Sequence, residues 1–209
     1  AFAVTGQQGV TPMAGAFGVL AWTQEGERYE ARLSLKVLGF TIRSQQSVGT
    51  IGPTGIEPQR WKDVGAFGVI EKRKTEVASH FVRDQRLVVF SNNTPSVMLL
   101  AGAQDRLSVI FHLGALLAGD AARYPAGSVI AVQTVGPRDA EIWTFNVGGE
   151  ERVSVPAGEF SARRFTRNPR KPFDDKVELW LSPELGYLPV EFKLTGIKPA
   201  QTKSFDEVK

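Results

Sequence analysis

The chain has 209 residues, of which 42% are hydrophobic and 22% are charged, with 25 basic against 22 acidic side chains. These values are typical of one folded domain and exclude a disordered chain, and a net charge of +3 is too small to indicate a nucleic-acid-binding protein. The absence of cysteine excludes thiolate catalysis, disulfides and zinc–thiolate sites. No apolar run approaches the roughly 18 residues of a transmembrane helix.

The first residues differ from the rest of the chain. Residues 1–16 are small, polar and without periodicity, and we expect them to form a flexible leader to a single domain over residues 17–209. Residues 28–37 read RYEARLSLKV, with an apolar side chain at every second position. This alternation predicts a half-buried strand, which Gly39 ends before an extended pattern resumes.

Turn-forming residues recur at intervals of roughly 12 residues, with few helical segments between them. They lie at Glu25-Gly26, Gly52-Pro53, Asn92-Asn93, Gly136-Pro137, Gly148-Gly149, Pro156 to Gly158 and Pro183 to Gly186. This spacing predicts an all-β protein built as an antiparallel meander, rather than a parallel sheet of βαβ units.

One segment departs from the strand pattern. Residues 105–119 read DRLSVIFHLGALLAG, and their apolar side chains cover nearly the whole circumference of a helix. Asp105 is expected to cap its start and Gly119 to mark its end. We therefore predict one buried apolar helix over about residues 105–118, lying against or inside the sheet.

The sequence offers little catalytic chemistry. His80 and His112 are its only histidines, which excludes a multi-histidine metal site, and no nucleotide-binding or nucleophile motif follows a strand. The carboxylates Asp139 and Glu141, and the pair Asp174-Asp175, lie beside turns, where acidic residues are usually solvated rather than catalytic. An enzyme is the least favoured class, and no cofactor, metal or catalytic residue is predicted.

A basic cluster lies in the sequence ARRFTRNPRK, residues 162–171. Its cations are Arg163, Arg164, Arg167, Arg170 and Lys171. Such a cluster can bind an anionic head group, a phosphate or an acidic glycan. The favoured alternative is a solvated hairpin whose charges protect an exposed strand edge, so that the cluster is exposed and dispensable for folding. Nucleic acid is disfavoured, because only Phe165 could stack on bases within it.

The segment VELWLSPELGYLPVEFKL, residues 177–194, predicts a hairpin. With a four-residue loop at Pro183 to Gly186, Leu179 is opposite Val190 and one face is wholly apolar. Trp180 then lies on the other, charged face. Two accounts explain an aromatic side chain there: it covers a neighbouring loop or the leader, or it stacks on a ligand or partner.

Five segments, taken together and in order, resemble a known bacterial family. They read YEARLSL, GIEPQRW, GAQDRLSVIFHLGALL, PAGEFSARRF and VELWLSPELGYLPVEFKL. From about Trp22 to Lys193 the chain resembles domain-of-unknown-function family 3108. The resemblance implies an exported, periplasmic protein of Gram-negative bacteria, usually with a signal peptide or Pro-rich leader that this sequence does not show. It also implies a meander curled into a barrel or half-barrel, and no catalytic residues.

Three non-enzymatic functions fit these features. The first is a periplasmic binding or carrier module for a lipid or another hydrophobic or amphiphilic ligand. It is favoured because of the apolar helix. That helix is nevertheless better explained as a plug that fills the barrel than as the wall of an open cavity. The second is a polysaccharide-binding or export accessory protein, and the third is a scaffold for another envelope protein, bound through an edge strand. The candidate ligand-binding residues are Trp143, Phe145, Trp180, Tyr187, Arg163 and Arg167.

Overall fold

The structure is a computed structural model that describes residues 16–67, 73–170 and 174–196, together with three two-residue strands before them. Apart from those short strands, the predicted leader lies outside the described residues, as does Lys171 of the basic cluster.

The described chain contains sixteen strands and one α-helix, numbered in chain order. The strands are β1 Phe2–Ala3, β2 Gln7–Gln8, β3 Thr11–Pro12, β4 Ala16–Glu25, β5 Arg28–Val37, β6 Phe40–Gly52, β7 Gly55–Phe67, β8 Arg73–Val82, β9 Leu87–Phe90, β10 Val97–Met98, β11 Gln104–Asp105, β12 Val129–Val135, β13 Ala140–Val155, β14 Gly158–Arg167, β15 Asp175–Ser182 and β16 Leu188–Gly196. The helix α1 spans Ser108–Asp120, and short 3-10 turns follow at Ala121–Arg123 and Pro183–Leu185.

The strands form two large sheets in which sequence neighbours pair. Sheet 1 has the order β1-β4-β5-β6-β7-β8-β9-β10, and sheet 2, a curled half-barrel, has the order β11-β12-β13-β14-β15-β16. All pairs are antiparallel except β11 with β12, and β2 and β3 form a separate two-stranded sheet. The predicted all-β meander with one helix is confirmed within the described residues.

The helix lies between the two sheets. Its buried side chains, Leu113 and Leu117 among them, share one apolar core with Trp61 of sheet 1 and with Phe145 and Phe165 of sheet 2. A helix that is apolar nearly all round fits this position, because both of its sides face a sheet. The prediction of a buried helix is confirmed, with its start at Ser108 rather than at residue 105. The helix continues to Asp120, so Gly119 lies inside it and the prediction that Gly119 marks its end is wrong.

Most of the predicted turns connect strands, but the one at Gly148-Gly149 does not. Both glycines lie inside β13, where the register with β14 shifts between Val147 and Glu150. That shift is a β-bulge, which inserts extra residues into one strand without ending it. A glycine pair is typical of both a turn and a bulge. The sequence therefore located a backbone irregularity correctly, but the predicted turn was wrong.

The register of the last hairpin also differs from the prediction. Tyr187 adopts a left-handed conformation (φ 62°) and lengthens the loop, and a bulge follows between Trp180 and Leu181. Leu179 is therefore opposite Phe192 instead of Val190. The predicted apolar face of β15 is nevertheless retained, because the pairing moved by an even number of residues.

Candidate functional site

One face of sheet 1 lies against α1, and we call it the inner face. Along a strand every second side chain returns to the same face, and directly opposed residues of antiparallel strands share a face. On β5 the inner face carries Tyr29 and Ala31, which are buried, followed by Leu33, Leu35 and Val37, which are half-buried. The apolar row of β5 therefore extends beyond the core that α1 completes.

Neighbouring strands widen this row. Leu20 of β4 is opposite Leu33, and Phe40 of β6 is opposite Val37. Phe40, at the end of the row, is 61% exposed. We call Leu20, Leu33, Leu35, Val37 and Phe40 the inner-face stripe. Leu20 and Leu33 pack against the core, so the accessible part of the stripe lies towards Phe40. Contiguous accessible apolar surface is typical of a binding site.

Sheet 2 also exposes apolar side chains on its core-facing side. Val177 and Leu179 of β15 belong to the core, and Leu194 and Phe192 of β16 lie directly opposite them. Phe192 is 41% exposed and Leu194 is 56% exposed. In the described part of the chain β16 pairs with β15 alone. Apolar side chains are therefore accessible on the edge strand of sheet 2 as well as on sheet 1.

A charged pair borders the inner-face stripe. Arg43, opposite Leu35, binds the buried Asp63 with both ends of its guanidinium, with Nε–Oδ1 at 3.0 Å and Nη2–Oδ2 at 2.5 Å. Hydrogen bonds with Asp63 raise the pKa of Arg43 against the opposing effect of burial, and the charges of Asp63 and Asp175 add to the rise. Asp175 begins β15, so sheet 2 lies within electrostatic range of this border. Half of the Arg43 side chain stays exposed.

The first turn of α1 is held to sheet 1 by a buried polar network. Oδ1 of Asp105 accepts hydrogen bonds from the amides of Leu107 (2.9 Å) and Ser108 (2.7 Å), and Oγ of Ser108 accepts one from the amide of Asp105 (2.9 Å). The hydroxyl of Ser47 donates to Oδ2 of Asp105 at 2.5 Å and is hydrogen-bonded to Tyr29 at 2.9 Å. Burial raises the pKa of Asp105 to about 6. The N-cap of α1 is Leu107 rather than the predicted Asp105, whose carboxylate instead binds the amides at the turn that leads into the helix.

Two candidate site residues hold the rest of α1 against sheet 2. A β-carbon on Gly114 would lie 2.6 Å from the backbone oxygen of Tyr187, so only glycine fits this close approach without a shift. Just past the helix, Nη1 of Arg163 donates to the carbonyl oxygens of Ala121 (3.4 Å) and Tyr124 (2.9 Å). Ala121 also accepts a hydrogen bond from the amide of Tyr124 (3.2 Å), so Arg163 ties this turn after the helix to sheet 2.

Three other candidate site residues lie together on the core-facing side of sheet 2. The rings of Trp143 and Phe145 are 6.1 Å apart, and the guanidinium of Arg167 lies 4.3 Å from the centre of the Trp143 ring. Nη2 of Arg167 also donates to Oδ2 of Asp174 at 2.7 Å, and Nη1 to the carbonyl oxygen of Asp175 at 2.8 Å. All three candidates are buried, so these contacts hold sheet 2 together.

The prediction that the basic cluster is exposed is wrong for Arg167, which is 2% exposed. Arg167 is opposite Val177, a core residue, so strand alternation directs its side chain inwards. Arg164 and Arg170 are exposed, as predicted, and Arg163 is half-buried. Removing one partner of a buried ion pair is strongly destabilising, and we therefore no longer expect Arg167 to be dispensable for folding.

Trp180 lies on the opposite face of sheet 2. It is 7% exposed and packs in a small apolar cluster with Val153, Ala162 and Val190. Its indole N–H donates to the carboxylate of Glu151. Strands of its own sheet therefore cover the ring, which supports the structural account of this residue. A ligand-binding role for the six candidate residues stays a prediction.

The described ranges contain neither a candidate metal-ion cluster nor a membrane-spanning helix. Within them, no cluster of His, Asp or Glu side chains is arranged to hold a metal ion, and no helix combines the length and apolarity needed to cross a membrane. The carboxylates of Asp139, Glu141 and Asp174 each form an ion pair with an arginine.

Sequence reasoning did not identify the inner-face stripe as a site. The alternation in β5 shows which side chains share a face, and Leu35 and Val37 follow the same pattern as the buried Ala31. Nothing in that pattern shows where the covering elements end, because α1 and sheet 2 are distant in sequence.

The fold and the site define a protein of two facing meander sheets, with one helix between them and accessible apolar side chains beyond it. Residues 2–195 match the family described as "Protein of unknown function (DUF3108)", and the chain belongs to that family. The resemblance stated from the sequence is thereby confirmed. The chain matches no curated protein and no solved structure.

Proposed function

We propose that this protein is a non-enzymatic binding or carrier module of the bacterial periplasm that takes a hydrophobic or amphiphilic ligand. The observation that carries the proposal is the inner-face stripe, which leaves the core along β5 and becomes accessible at Val37 and Phe40. Ligand sites for apolar molecules are concave and mostly apolar, with few polar groups that fix orientation.

The second sheet supports this proposal. Phe192 and Leu194 lie on its core-facing side and remain accessible, so a chain-like ligand would contact apolar side chains from both sheets. Arg43 adds the single polar feature, because its guanidinium is partly exposed beside Leu35. The core that contains α1 reaches Tyr29, Leu20 and Leu33, so a ligand would contact the part of the stripe from Leu35 to Phe40.

The alternative of polysaccharide binding has weaker support. Stacking on a sugar needs an aromatic ring with one free face, whereas Trp143 and Trp180 are buried by their own sheet. Tyr187 is half-buried against α1. Of the functions considered, ligand binding at the inner-face stripe therefore has the most direct structural support.

Native mass spectrometry of the purified protein, followed by titration with a long-chain fatty acid, tests the proposal. We expect a bound lipid, or saturable binding of the fatty acid to the delipidated protein. Leu35→Gln should weaken that binding by about tenfold, since removal of one apolar side chain from a contact costs roughly 1.5 kcal/mol.

The control is Val19→Gln. Val19 is half-buried like Leu35 but is opposite Ser34, on the outer face of sheet 1. Val19→Gln makes the same kind of substitution on the neighbouring strand, and it should leave fatty-acid binding unchanged. Equal weakening by both variants, or no saturable binding of any lipid, would contradict the proposed site.

The periplasmic location rests on what the family resemblance implies and is tested separately. Osmotic-shock fractionation of cells that express the complete gene should release the protein with periplasmic markers. Its recovery with cytoplasmic markers would refute the location and leave the binding site to be judged by the titration.

A further inference from the structure

The hairpin between β5 and β6 ends in exposed apolar side chains. Leu38 and Gly39 form a two-residue turn with positive φ angles of 49° and 84°, as in the tight hairpin turns that match strand twist. Leu38 is 77% exposed, the highest value among the large hydrophobic side chains in the described ranges, and Phe40 follows it directly after the turn. Phe17, on the adjacent β4, is also exposed. Three large apolar side chains thus meet solvent at one end of sheet 1.

Cationic side chains lie beside this end of the sheet, and one of them, Arg43, is paired with Asp63. Nζ of Lys36 lies 5.8 Å from the centre of the Phe17 ring, and Arg43 follows the turn on β6. The hairpin sequence SLKVLGFTIR, residues 34–43, contains these two cations and no acidic residue.

We propose that this hairpin tip, formed by Leu38, Gly39 and Phe40 with Phe17 and Lys36 beside it, docks on the surface of an anionic lipid bilayer. Large apolar side chains gain free energy when they enter the boundary between head groups and acyl chains. Lysine and arginine side chains beside them are attracted to anionic head groups. The tip combines both features, and its charge is complementary to such a surface.

The proposal goes beyond ligand binding, since docking requires no ligand in the protein. The two sites are nevertheless continuous, because Phe40 belongs to the hairpin tip and is opposite Val37 of the inner-face stripe. A docked tip would therefore place the accessible end of the stripe at the bilayer surface, where an amphiphile could be exchanged.

Vesicle flotation with the full chain tests the docking surface. Delipidated protein is mixed with vesicles of phosphatidylethanolamine and phosphatidylglycerol, or of phosphatidylcholine alone, and the fraction that floats is measured. We expect binding to the anionic vesicles that declines between about 0.1 M and about 0.5 M NaCl, because salt screens the attraction. The variant Leu38→Asn/Phe40→Thr should reduce the partition coefficient by about tenfold or more.

Both substitutions are chosen to keep the fold. Asparagine tolerates positive φ at position 38, and threonine suits a strand at position 40. Met98→Ser, which removes an exposed apolar side chain on β10, should leave vesicle binding unchanged. Failure of the wild-type protein to float with anionic vesicles, or equal losses for the Met98 and hairpin variants, would overturn the proposal.

A protein partner is the competing use of such a surface. Self-association in sedimentation velocity that the hairpin variant abolishes, without vesicle binding by the wild type, would assign the tip to a protein interface instead. The fatty-acid titration with Leu35→Gln is independent of this experiment, so failure of docking and failure of ligand binding are distinguishable.

Discussion

Replacement of Asp105 by Asn tests the buried network that holds α1 to sheet 1. Burial raises the pKa of Asp105 from its ordinary value of 3.8 to about 6. A change of this size corresponds to about 3 kcal/mol, since each pKa unit is worth roughly 1.4 kcal/mol. Because the carboxyl of the folded protein binds its proton more tightly than that of the unfolded chain, its contribution to stability is fully present below pH 3.8 and is lost as the pH rises through about 6.

Asparagine preserves the geometry and removes the charge. Its Oδ1 can still accept from the amides of Leu107 and Ser108, so these two hydrogen bonds are kept. The free energy of unfolding is measured by urea denaturation, followed by tryptophan fluorescence, at several values between about pH 3.5 and pH 7.5. As the pH rises across this range, the free energy of unfolding of the variant should increase by up to about 3 kcal/mol relative to that of the wild type. Groups that titrate alike in both proteins cancel from this difference.

A difference in the free energy of unfolding between the two proteins that stays constant with pH would refute the reasoning. So would a change in the opposite direction, in which the wild type gains relative stability as the pH rises. Asp120→Asn is the matched control, because Asp120 accepts from the amides of Ala122 and Arg123 in an exposed turn. It reports the effect of the same substitution at a capping position without burial.

Three further substitutions test packing. Trp180→Ala should lower the free energy of unfolding by about 3–5 kcal/mol in urea denaturation, as for other buried aromatic side chains, and a loss below about 1 kcal/mol would contradict the observed burial. Arg167→Met should cost about 3 kcal/mol in the same assay, because it removes one partner of a buried ion pair; an unchanged midpoint would show that the pair is dispensable. Gly114→Ala should lower the melting temperature, although alanine favours helices by about 1 kcal/mol, because its β-carbon would meet the backbone oxygen of Tyr187. A β-carbon on Gly119 would point into open space, so the control Gly119→Ala should not lower the melting temperature.

Local periodicity was enough to determine two elements of this protein, β5 and α1. The alternation in residues 28–37 predicted β5 with its inner and outer faces, and the broad apolar surface of residues 105–118 predicted α1. These features depend on side-chain spacing within one element, which the backbone geometry of a strand or helix converts directly into a shared face.

Only the tertiary structure decided which side chains are covered. Arg167 is buried because it is opposite Val177, and Trp180 is buried because neighbouring strands supply its apolar cluster. Bulges and a left-handed Tyr187 set the final register of these strands, and no local pattern specifies them. Leu35 and Val37 likewise alternate as core residues do, yet they stay accessible because α1 and sheet 2 cover only part of the inner face. Burial depends on contacts between segments that are far apart in sequence, whereas the alternation records only the direction in which each side chain points.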